Sequence, residues 1–144
     1  MGKTIGDYKV CVESANAFYK VAQSASPEKN IADFLSGMMY PFAVNCAFAC
    51  ELYMKAIMIH GSASDEFDTG HKLDDLFNKL PSNDHSSIEA LYNAKSTKDL
   101  KTLLAEDGNT FVEWRYALEA PVKVCITGLS AFLDSLKEYV DGLI

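Results

Sequence analysis

At 144 residues, 49% apolar and 23% charged, with a mean hydropathy of −0.02, the chain has the make-up of one globular domain spanning 1–144. A formal charge of −7 argues against a free-standing nonspecific nucleic-acid binder, and no DNA partner is expected, although a small basic pocket remains compatible with it. The four cysteines (Cys11, Cys46, Cys50, Cys125) form no CxxC pair and sit in apolar stripes, so they read as buried free thiols of a reducing cytoplasm.

The opening MGKTIGDYKV has no apolar run, and no signal peptide is expected. From about Thr4 to Ser24, Ile5, Tyr8, Val12, Ala15, Tyr19 and Ala22 recur at helical steps, which predicts an amphipathic helix ended by Ser26-Pro27. IADFLSGMMY has room for a helical turn before Gly37. The next stretch, Pro41 to His60, is the most apolar in the chain and predicts a helix buried on most sides, with Pro41 in its first turn and Gly61 at its end. Glu51 and Lys55 make it a poor membrane span. Asn45, Glu51 and Lys55 are read as one polar arc, and a carboxylate buried there needs a partner.

SASDEFDTG reads as an acidic, turn-rich loop. HKLDDLFNKL predicts a short helix with Leu73, Leu76, Phe77 and Leu80 inward, Thr69 or His71 capping it, and Asp74 and Asp75 near its first turn. Beyond Pro81, a weak helix carries Ile88, Leu91 and Tyr92. Ser96 to Asp99 resembles a capping box for a helix burying Leu100, Leu103 and Leu104, with Gly108 as a left-handed terminator. Thr110 to Glu113 is a second capping box before FVEWRYALE. From Val122 to Val140 runs the cleanest stripe of all. With no sustained strand alternation, the fold class is all-α, an up-and-down helical bundle of about five main helices.

Arg115 is the sole arginine, set between Trp114 and Tyr116 with Glu119 one turn on. It suits either an ion pair with Glu119 or Glu51 that locks two helices, or an anion site walled by an aromatic ring. His71 is read as a helix cap or as a polar group of the same pocket, beside Asp74. Lys55 is read as free to reach solvent along its flexible stem. No ligand spacing supports a metal, and no cofactor motif is present; Lys95, Lys98 and Lys101 form a small basic cluster of the kind usual on a solvated helix.

Three short motifs, E-L-x-x-K (Glu51, Leu52, Lys55), H-x-L (His71, Leu73) and R-Y-x-x-E (Arg115, Tyr116, Glu119), stand in an order that resembles the HEPN domains of bacteria. The resemblance covers about the middle half of the chain. It implies a helical bundle, a homodimer, and a setting beside a nucleotidyltransferase or in defence and toxin–antitoxin systems. Many HEPN domains are metal-independent ribonucleases with a histidine four to six residues after an arginine. Here Glu119, Ala120 and Pro121 occupy those places, and His60, His71 and His85 all precede Arg115. The resemblance therefore implies a non-catalytic module for a nucleotide, RNA or partner protein, with Glu51, Lys55, His71, Asp74, Trp114, Arg115, Tyr116 and Glu119 as its pocket. The alternatives are a divergent ribonuclease and a structural dimerisation domain.

Overall fold

The computed structural model describes residues 2–33, 37–108 and 125–143, and shows an all-α helical bundle with one short two-stranded ribbon. In order come β1 (Lys3–Ile5), α1 (Tyr8–Ser24), the single turn α2 (Ile31–Asp33), α3 (Met39–Gly61), β2 (Glu66–Asp68), α4 (Leu73–Asn78), α5 (Ser82–Asn93), α6 (Leu100–Asp107) and α7 (Ile126–Asp141).

The 23-residue α3 is the axis of the bundle. It is apolar nearly all round, so it is stable only when enclosed. By length and composition it could cross a membrane, yet 72% of its most apolar window is buried inside the protein. α1 lies along it, α7 covers a second flank, and α4 and β2 close the C-terminal half. Tyr53, Met54 and Ile57 are fully enclosed, each contributing about 1.5–3 kcal/mol through burial. Polar ties fix the neighbours' register: Tyr53 donates to Asn16 Oδ1 at 2.5 Å, Tyr19 donates to Asp134 at 3.0 Å, and Tyr139 donates to Asp84.

Several boundaries depart from the sequence reading. The first helix starts at Tyr8, because Asp7 caps it by accepting from Val10 N at 2.9 Å. The residues before it form β1, antiparallel to β2 inside the supposed acidic loop, with Lys3 opposite Asp68, Thr4 opposite Phe67 and Ile5 opposite Glu66. Gly6 makes this possible: a Cβ there would lie 2.7 Å from the Phe67 ring and 2.9 Å from Ile59 Cδ1. Asp99, not Ser96, caps α6 through Thr102 N, while the Ser96 hydroxyl accepts from Lys98 N. Gly108 keeps a right-handed backbone, φ −63°, and its carbonyl accepts from Leu73 N at the head of α4. Neither Thr69 nor His71 caps α4; its N-cap is Lys72, with no side-chain cap. The second capping box at Thr110 and the start of the last stripe at Val122 lie outside the described residues.

Candidate functional site

Glu51 lies in the middle of α3 with its side chain only 3% exposed. One turn on, Lys55 donates to Glu51 Oε2 at 2.8 Å and is itself buried. The sequence reading let Lys55 reach water, but its neighbours leave no path, and Nζ lies 5.6 Å above the ring of Phe67 from β2. His71, in the loop before α4, brings Nδ1 to 3.1 Å from the same Oε2. As the Nδ1–H tautomer it donates to the carboxylate and leaves Nε2 as an acceptor on a side chain 57% exposed. The cluster thus grades from a buried carboxylate to an imidazole at the surface.

Both donors converge on one oxygen. Glu51 Oε1 is buried and accepts no hydrogen bond among the described residues. A carboxylate has room for about four donors, so this site holds spare accepting capacity at Oε1. Cys11 on α1 lies at the edge of the same region and donates its thiol to Leu52 O at 3.1 Å. Burial pushes that thiol up to about 11; the Lys55 charge works the other way and the Glu51 charge adds to the rise. Cys46 goes up to about 12 and Cys50 well above the ordinary thiol value, chiefly from burial. All four cysteines are unpaired, two of them fully buried and Cys11 and Cys125 partly so.

Four of the eight residues of the sequence-derived pocket are among the described ones. Glu51, Lys55 and His71 come together. Asn45 does not share their arc: its amide turns back to Pro41 O at 2.7 Å, because six residues are not a whole number of helical turns. Asp74 stands apart in the first turn of α4, beside Gly108 and a cleft shared with His85, Glu89 and Lys101. Trp114, Arg115, Tyr116 and Glu119 lie outside the described residues. In the basic cluster, Lys95 pairs with Glu138 at 2.8 Å and Lys98 with Glu106 at 2.6 Å, which cancels two of its three charges.

Two participants escaped the sequence reading. Phe67 supplies the ring under Lys55, and Asp68 forms a second buried carboxylate site, with Lys79 on Oδ2 and Gly70 N on Oδ1, each at 2.8 Å. The only signal was the polar–apolar–polar order of Glu66-Phe67-Asp68, too short to tell a strand from a turn. Among the described residues, no group of three or more His, Cys, Asp or Glu side chains could hold a metal ion. What the cluster can do is accept hydrogen bonds at Oε1 and Nε2 under the field of one lysine. No protein-family model, curated protein or solved structure matches the chain.

Proposed function

We propose that the chain is a HEPN-like binding module without ribonuclease activity, holding a nucleotide or the end of an RNA. The observation that carries the reading is the meeting of two separated motifs, E-L-x-x-K and H-x-L, on one buried carboxylate whose second oxygen is unused among the described residues. A nucleobase edge bearing N–H donors is complementary to His71 Nε2, the acceptor that Glu51 turns toward the surface by holding Nδ1, and a site that leaves an acceptor unpaired discriminates strongly between ligands with and without the donor. Arg115, the sole guanidinium, is the group suited to a phosphate of the same ligand, since its planar fork matches phosphate oxygens two at a time.

Calorimetric titration of the full chain with the four ribonucleoside monophosphates and a short single-stranded RNA tests this. Binding is expected for bases carrying an amino group and should weaken at least about tenfold in Glu51→Gln, which replaces an acceptor-only group by an amide. Arg115→Ala should also abolish binding while shifting stability by no more than about 1 kcal/mol. A loss of about 3–5 kcal/mol in that variant would instead mark Arg115 as one half of a structural ion pair and sink the binding role. RNA incubated with the protein in EDTA should remain intact, because no histidine follows the arginine; cleavage that vanishes in Arg115→Ala would overturn the non-catalytic reading.

A further inference from the structure

The β ribbon has two edges, and they are not alike. Gly6 N donates to Asp65 O at 2.9 Å and Thr69 N to Gly2 O at 3.2 Å. With Thr4 opposite Phe67, antiparallel alternation turns the backbone of Gly2, Thr4 and Gly6 toward β2. The N–H and C=O groups of Lys3 and Ile5 therefore point away from the sheet. On the far side, β2 is partly closed, because Glu66 N donates to Ser62 Oγ at 3.1 Å. β1 has no such guard among the described residues: no proline, no bulge and no covering loop, only the charge of Lys3. All three of its residues are exposed, and Ile5 is 74% exposed, more than any other large hydrophobic residue described; Val10, in the first turn of α1, follows at 60%.

We propose that this edge joins two copies of the chain, β1 pairing antiparallel with β1 of a second copy about a twofold axis through Thr4. The edge is self-complementary. In that register Lys3 of each copy faces Ile5 of the other, and their outward N–H and C=O groups satisfy one another, making a continuous four-stranded ribbon. Along one face each row then reads Asp68, Lys3, Ile5 of the second copy, Glu66 of the second copy. Each lysine stands next to an acid of its own chain, and no two like charges stand opposite one another. The exposed Ile5 side chains come to lie diagonal to one another and shield part of each other's surface from water. Each copy carries a formal charge of −7, so repulsion between whole molecules opposes the contact and added salt strengthens it. The pairing is independent of any ligand at Glu51.

Sedimentation of the full chain over a range of concentrations, at low and moderate salt, tests the pairing. The mass should rise from 15.9 kDa toward twice that value, at lower protein concentration when salt is added. Ile5→Pro removes the outward N–H and the exposed side chain and no bond to β2, so it should sediment as a monomer with the parent's circular dichroism and melting temperature. Thr4→Cys places two thiols across the axis as a non-hydrogen-bonded pair, with Cα atoms about 4.5 Å apart. Mild oxidation should then give a reducible dimer in this variant beyond any formed by the parent's own cysteines, and this readout stands even if Ile5→Pro fails to fold. A parent that stays monomeric, a folded Ile5→Pro that dimerises like the parent, or a Thr4→Cys that cross-links no more than the parent overturns the proposal.

Discussion

Two buried carboxylates sit near each other in sequence, each met by a lysine, and they are used differently. Asp68 has both oxygens occupied, one by Lys79 and one by Gly70 N. Its lysine remains 45% exposed on its side chain, so the charge is shared with water. Glu51 concentrates two donors, Lys55 and His71, on one oxygen and leaves the other without a described partner, while its lysine is enclosed. Both acids are buried, their side chains 3% and 7% exposed, so burial does not separate them. Each receives two donors; what differs is whether every oxygen has one. Asp68 is a finished tie between β2 and the end of α4; Glu51 is an unfinished one, and an unfinished buried polar site is where a ligand has something to complete.

The sharpest way to break this contrast is to remove each lysine. Lys55→Met keeps the aliphatic stem over Phe67 but strands Glu51, and should lower stability by about 3 kcal/mol, the lower end for a stranded buried charge because His71 stays. Coupling it with Glu51→Gln should recover most of that loss in a thermal melt, since no buried charge remains. Lys79→Met should cost at most about 1 kcal/mol, because a half-exposed lysine is already well solvated and Gly70 N still serves Asp68. Equal losses in the two lysine variants would erase the distinction.

The smallest effect sharpens it by pH. The hydrogen bond from Lys79 holds the Asp68 carboxyl below the usual carboxylate range, assisted by Gly70 N and opposed by burial. A group lowered in the folded state adds stability that is complete above its unfolded value, about 3.9, and is lost as pH falls from there through the lowered native value. Asp68→Asn should therefore flatten the acid side of the stability curve below about pH 4 and leave its slope near neutrality unchanged. An unchanged acid limb would show that the tie contributes nothing by ionisation.

How far these sites could be read from the sequence follows from the range of the forces that make them. The helical core was legible because its signal repeats: Leu129, Leu133, Leu136 and Val140 recur at helical steps and are all buried. The meeting of Glu51 with Lys55 is an i, i+4 relation within one helix. That with His71 crosses twenty residues, and the sequence offers it only as one of two roles for His71, the other being a helix cap. The ribbon was missed because three-residue strands carry too little alternation, and because what seats them is Gly6, where an absent side chain leaves no pattern. The Asp99 cap of α6 was displaced from Ser96 because either residue can cap, and only the path of the preceding turn decides.

The enclosure of α3 has a consequence in time. α1 leaves the ribosome before α3 and is ready to cover one side as it emerges. The second flank belongs to α7, which begins at Ile126, well after α3 ends at Gly61. At translation rates of about 5–20 residues per second, the interval is on the order of several seconds. Throughout it the flank that α7 covers stays open on a 23-residue apolar rod with the composition of a membrane span. Nascent chains arrested between α5 and α7 should therefore engage holding chaperones and lose them once Asp141 has cleared the exit tunnel, so that the last helix acts as the release signal for the first core.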